Sequence, residues 1–182
     1  MIRFASLLLL SSLLLSTTAM AQPKKGSWML GADVPDMGIN GGKFLSNSLL
    51  FGVKVSPNFA LSRHQNTNLN VSVSPFLRYY FGAKEGMQSG KFYFYTQARV
   101  GYRLNFNTKA TSSVNHNFTP SIGLGATYFI NERVSVDARY NISNDLGDFS
   151  HPYKFTPIYG NLEFGLQIHL PGKKLKERLK AE

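Results

Sequence analysis

Leu69-Asn70-Val71-Ser72-Val73-Ser74-Pro75-Phe76-Leu77-Arg78-Tyr79-Tyr80-Phe81 alternates without a slip. Leu69, Val71, Val73, Pro75, Leu77, Tyr79 and Phe81 fall on one side; Asn70, Ser72, Ser74, Phe76, Arg78 and Tyr80 fall on the other. A period of two belongs to a strand whose two faces meet different environments. The run is roughly twice the ~5–6 residues of a usual soluble strand, and a tilted strand of this length crosses a bilayer with some overhang. This one segment therefore proposes a transmembrane β-barrel.

The N-terminus indicates a destination for such a barrel. Arg3 supplies a positive n-region, Leu7 to Leu15 form a short apolar run interrupted by Ser11 and Ser12, and Ala19-Met20-Ala21 is an A-x-A cleavage site. Residues 1–21 therefore read as a cleaved signal peptide, with the mature chain starting at Gln22. A membrane-anchoring helix needs about 20 apolar residues, more than this run provides. With no Cys in the chain, a lipoprotein anchor, a disulfide, a metal-thiolate site and a Cys nucleophile are all excluded.

The remainder suits one domain, an eight-stranded barrel over residues 22–170, and is too short for a sixteen-stranded porin. Alternation recurs along it, each run ending where turn chemistry begins. Strands are predicted from Ser27 to Val34, Pro35 to Leu45, Leu49 to Leu61, Leu69 to Phe81, Phe92 to Phe106, Phe118 to Ile130, Val134 to Ile142 and Ile158 to Leu170. The second strand has the weakest pattern. An offset of 85 supports it, placing Pro35 on Pro120, Gly38 on Gly123, Phe44 on Phe129 and Val55 on Tyr140. Polar loops are predicted at Arg63 to Asn68, Thr108 to Asn117 and Asn144 to Pro157. The result is an all-β, eight-stranded, antiparallel up-and-down fold.

A soluble lipocalin-like barrel has the same strand count with its faces reversed. Its polar face would meet water and be rich in Lys and Glu. Here that face is mostly Gly, Ser, Asn and Thr, with isolated ionisable residues: Asp33, Asp36, Lys54, Arg78, Arg99, Arg103, Asp137, Arg139, Glu163 and His169. Small residues with a few charges suit a crowded lumen. Aromatics gather at strand ends (Trp28, Tyr79, Phe81, Phe92, Phe94, Phe118, Tyr128, Tyr159), as interfacial girdles do.

The charge balance points away from nucleic acid. Net charge is +10, but Lys173, Lys174, Lys176, Arg178 and Lys180 sit in a basic tail, 171–182, and the remaining excess is scattered rather than aligned in a stripe. The tail reads either as a frayed terminus or as a short basic helix touching anionic headgroups, with Leu175 and Leu179 on one side.

Glu163-Phe164-Gly165-Leu166-Gln167-Ile168-His169-Leu170 resembles the outer-membrane assembly signal: a polar residue, then Gly, then two hydrophobics, at Glu163, Gly165, Ile168 and Leu170. That signal usually ends the chain on an aromatic; here Leu170 is followed by the tail. With Pro75-Phe76-Leu77-Arg78-Tyr79-Tyr80-Phe81 and Gly123-x-Gly125-x-x-Tyr128-Phe129, the chain resembles the small porin-like outer-membrane barrels of Bacteroidota-type Gram-negative bacteria, similar in architecture to the OmpA and OmpX barrels. The resemblance implies a Gram-negative outer-membrane location, the barrel-assembly machinery and outer-membrane lipids as partners, and no cofactor. It specifies fold more than activity.

Three functions remain in view. An eight-stranded lumen is just wide enough for side chains to fill, and pairing Lys54, Arg78, Arg99, Arg103 and Arg139 with Asp33, Asp36, Asp137 and Glu163 makes a salt-bridged plug, because buried unpaired charge is costly. That favours a structural or surface-interaction role, its extracellular ligand unnamed. A narrow pore lined by the surplus arginines is the alternative. A lipid-modifying enzyme is third; it needs Ser and His in reach at a lipid-facing rim. His64, His116 and His151 fall in predicted loops and His169 in the lumen, so Ser150-His151 near Asp148 is the only suggestive cluster. No catalytic or metal site is predicted.

Overall fold

The computed structural model describes residues 23–61, 67–107, 115–144, 146 and 158–172. Eight strands follow one another: β1 (Trp28–Val34), β2 (Gly38–Phe44), β3 (Leu49–Leu61), β4 (Thr67–Tyr80), β5 (Phe92–Asn107), β6 (Asn115–Phe129), β7 (Val134–Ser143) and β8 (Tyr159–Leu170). Each pairs antiparallel with the next, and β8 pairs with β1, so the sheet closes as an up-and-down barrel without an edge. Short turns at 45–48 and 130–133 share one end with both ends of the barrel chain. This is called the terminal end; the opposite one, at Asp36, Ser56 and Tyr159, is the loop end.

Alternation places each strand as read. On β4, Phe76, Arg78 and Tyr80 are buried in the lumen, whereas Leu77 and Tyr79 face out. Trp28, Leu30, Phe94, Leu124, Tyr140, Leu162 and Phe164 are also exposed, giving an apolar outer wall around a polar lumen. Outward aromatics pair near the terminal end: Tyr79 with Phe81 at 5.5 Å and Phe92 with Tyr128 at 4.7 Å between ring centroids. Lys43 lies 5.5 Å over the Trp28 ring.

Three strand starts differ from the expectation by more than a residue: those of β2, of β4, at Thr67 rather than Leu69, and of β6. β2 begins at Gly38, because residues 35–37 form a tight turn in which Met37 has φ 46°. Pro35 therefore sits in a turn and Pro120 within β6, so the offset of 85 does not extend to them. It does hold at Gly38–Phe44 and Gly123–Phe129, where Phe44 and Phe129 both end on the lumen side. β6 starts at Asn115, which puts His116 on a strand rather than in a loop.

Glycines accommodate the large lumen side chains. Gly52 faces Phe76, Gly125 faces Tyr95, and Gly165 lies between Asp33 and Asp137 in register. A Cβ on Gly165 would stand 2.6 Å from Asp33 Oδ1 and 2.8 Å from Gln167 Nε2. In so narrow a barrel, a bulky side chain from one strand fills the space its neighbour leaves empty.

The connection at 82–91 is more than a turn. Gly82, Gly86 and Gly90 take φ of 75°, 103° and 74°, a region glycine enters without a Cβ penalty. The segment folds under the barrel, burying Ala83 and Met87 completely. Gln88 N donates to Tyr93 Oη at 2.9 Å, and Asn47 Nδ2 donates to Lys84 O at 2.9 Å, fastening it across the opening.

Candidate functional site in the barrel lumen

The lumen has three levels. At the terminal end, Met29, Phe44, Leu50, Tyr80 and Phe129 close on one another above Ala83 and Met87. Phe44 stacks on Tyr80 at 5.9 Å, and the His169 ring lies 6.1 Å from Phe44 and 5.0 Å from Phe129. Ser135 Oγ hydrogen-bonds His169 Nε2 at 2.9 Å. Apart from that pair and the Tyr80 hydroxyl, the side chains named at this level are apolar.

The middle level is ionic. Lys54 Nζ on β3 reaches Glu163 on β8 at 2.9 Å, Asp33 on β1 at 3.3 Å and Asp36 at 3.7 Å. Arg139 on β7 bonds Asp33 at 3.2 Å and also bonds Glu163. Arg99 on β5 reaches the other Glu163 oxygen at 3.2 Å. Glu163 thus holds three cations, from three strands. A second group surrounds Arg78: its guanidinium lies 3.6 Å from Asp137, donates to Gln97 at 2.9 Å and to Tyr80 Oη at 3.1 Å, and sits 4.2 Å over the Tyr95 ring. Tyr95 Oη donates to Asp137 at 2.5 Å, and Gln167 Nε2 donates to Asp137 at 2.9 Å. Arg139 joins the groups through Gln97 and Asp137. Four cations (Lys54, Arg78, Arg99, Arg139) meet four carboxylates (Asp33, Asp36, Asp137, Glu163), so the network is neutral. It runs across the lumen rather than along its wall, and buried charges are tolerated there because each is paired and hydrogen-bonded.

The third level, at the loop end, is an open cup of about 360 Å³ whose lining includes Asp36, Ser74, Arg99, Arg103, Ser143 and Asn161.

Six of the seven expected lumen charges, Lys54, Arg78, Arg99, Asp137, Arg139 and Glu163, come together in the network. Arg103 does not: it lies higher on β5, lining the cup, and joins none of these ion pairs. In the terminal strand, Glu163 and Gly165 face the lumen, whereas Ile168 and Leu170 face out, each 42% exposed. The neutral partners Tyr95, Gln97 and Gln167 were not singled out from sequence. Their polar character on the lumen face was the available signal.

Ser150, His151 and Asp148 lie outside the described residues. Ser135 and His169 are fully buried in the lumen, away from the outer wall where a lipid substrate would be. Among the described residues, no group of three His, Asp or Glu has the arrangement of a metal site.

A closed eight-stranded antiparallel barrel, apolar outside and filled with paired charge inside, is the architecture of small outer-membrane barrels. The chain is similar in fold to the N-terminal β-barrel domain of Pseudomonas aeruginosa OprF (TM-score 0.51, 16% identity, covering 80% of this chain and 97% of that one). It is equally similar to Neisserial surface protein A, NspA (TM-score 0.51, 16% identity, covering 78% and 92%). No protein-family model and no curated protein sequence matches the chain.

Proposed function

We propose that the chain is an outer-membrane barrel with a closed lumen and a structural or surface-interaction role, exported by a signal peptide at 1–21 and placed in the membrane by the barrel-assembly machinery. The apolar outer wall supports contact with outer-membrane lipid, since water-facing strands would carry charge where Leu30, Phe94, Leu124 and Phe164 stand. The two faces of β8 support an assembly signal at Glu163, Gly165, Ile168 and Leu170. An even strand number leaves both barrel ends on the periplasmic side and points the loop end outward. The strand motifs favour the porin-like barrels of Bacteroidota-type bacteria.

The observation that carries the role is closure at two successive levels, one ionic and one apolar. A solute path requires a gap in both. In planar bilayers the refolded protein is expected to show no conductance steps; reproducible steps in the unmodified protein favour the narrow-porin alternative instead. Membrane placement has its own probe. Trp28 is the only tryptophan and is half exposed on the outer wall. In liposomes its fluorescence is expected to be quenched by brominated acyl chains and not by aqueous iodide; the reverse pattern contradicts a lipid-facing wall.

A further inference from the structure

The mid-lumen network balances its own charge, and this leaves Arg103 over. Arg103 follows Arg99 and Gly101 on the lumen face of β5, opposite Ser72 on β4 and Asn117 on β6. It has no ion-pair partner among the described residues. A guanidinium inside a barrel mouth without a counter-charge is an incomplete arrangement.

The space beside it is built rather than incidental. Gly101 is part of its lining, where a side chain would crowd the wall: a Cβ there would stand 3.2 Å from Ser74 Oγ and 3.3 Å from Thr119 O. Ser74 and Ser143 line the cup while 7% and 3% exposed, and neither hydroxyl has a hydrogen-bond partner among the described residues. Arg99 forms part of the floor, held by Ser121 Oγ at 3.1 Å and by Glu163. The carboxylate of Asp36, also in the lining, lies 3.7 Å from Lys54. The cup therefore combines one cation without an ion-pair partner among the described residues, inward hydroxyls able to donate, and a volume at the low end of the ~300–1,000 Å³ of small-molecule sites.

We propose that the loop-end cup binds a small hydrophilic solute bearing one oxyanion, a carboxylate or a phosphate, with Arg103 as its principal contact and the Ser74 and Ser143 hydroxyls as further donors. Two oxygens of a carboxylate or a phosphate match the guanidinium fork. Because the cup lies inside the wall, the ligand comes from the aqueous side and not from a lipid headgroup. The proposal deepens the surface-interaction reading and rests on it for access from the loop end.

The test uses the refolded full barrel in detergent micelles, with inorganic phosphate and gluconate as probes, glucose as the neutral control and chloride at matched ionic strength. NMR of the arginine Nε–Hε groups reads the site directly. Saturable shifts of Arg103 and of Arg99, which shares the lining, are expected with both anions; read at Arg99, the affinity is expected to fall at least tenfold in Arg103→Gln and binding to be lost in Gly101→Val, whose side chain crowds the cup. Folding of both variants is checked by the gel shift between unheated and boiled samples. Arg103 lies outside the network, so Arg103→Gln keeps the test decisive if Gly101→Val misfolds. Shifts no different from those of chloride, an unchanged affinity in Arg103→Gln, or equal binding of glucose overturns the proposal. Conductance separates the two readings. A silent barrel without saturable binding loses only the site, whereas a conducting barrel that still binds phosphate at Arg103 loses only the closed lumen.

Discussion

Glu163 is the residue on which the ionic level depends, because its two oxygens serve Lys54, Arg99 and Arg139 together. Removing one partner of a buried pair costs more than the pair contributes, since the remaining charges stay buried without compensation. Glu163→Gln leaves four cations facing three carboxylates and is expected to destabilise the barrel by about 3–5 kcal/mol, read from urea unfolding in lipid bilayers. Lys54→Met made together with Glu163→Gln restores neutrality and is expected to recover part of that loss; an additive double variant contradicts the coupling. Packing offers a second residue-level test. A Cβ on Gly31 would collide with the Gln167 amide, its Cδ at 2.6 Å, and with Asn40 Oδ1 at 2.8 Å. Gly31→Val is expected to cost about 1–3 kcal/mol from overpacking, and the cost is expected to shrink when Gln167 is replaced by Ser.

At the scale of elements, most of the fold was legible because strand alternation is a local property: β3 spans Leu49–Leu61 as the pattern predicts, and β7 and β8 come within a residue of it. The first hairpin was harder, since a three-residue connection leaves no polar stretch to mark it and Pro35 and Met37 read as part of a strand. The segment 82–91 was legible as a turn by its glycines but not as a lid. Nothing in the local sequence says that Met87 and Ala83 fold under the barrel rather than into water. The ionic residues were legible as lumen-facing, but their partners were not. Which lumen side chains share a height is set by the stagger of the closed sheet, and that separates Arg103 from the network while bringing Tyr95 of β5 to Asp137 of β7. The lid carries its own prediction: Met87→Ala removes a fully buried side chain and is expected to cost about 2–5 kcal/mol. Because the ionic level above is untouched, conductance is expected to stay absent; steps appearing in this variant alone place the closure entirely in the lid.

The whole molecule closes its lumen twice, by different physics. The apolar level excludes ions because it offers nothing to replace their hydration, whereas the ionic level fills the cross-section with side chains fixed by opposite charge. Barriers in series have a testable consequence: opening either alone leaves the other in place. Arg139→Ala with Glu163→Ala opens the middle while leaving Phe44, Tyr80 and Phe129 packed about His169, so no conductance is expected. Phe44→Ala with Phe129→Ala opens the terminal end beneath an intact network, and again none is expected. Only the fourfold variant joins the two gaps, and it is expected to give small, reproducible steps in planar bilayers. Its gel shift on heating verifies that the wall of the barrel, held by the eight antiparallel strand pairings, survives the emptied interior. If either double variant conducts as well as the fourfold one, a single level closes the lumen, and the level that was opened is the one that does so.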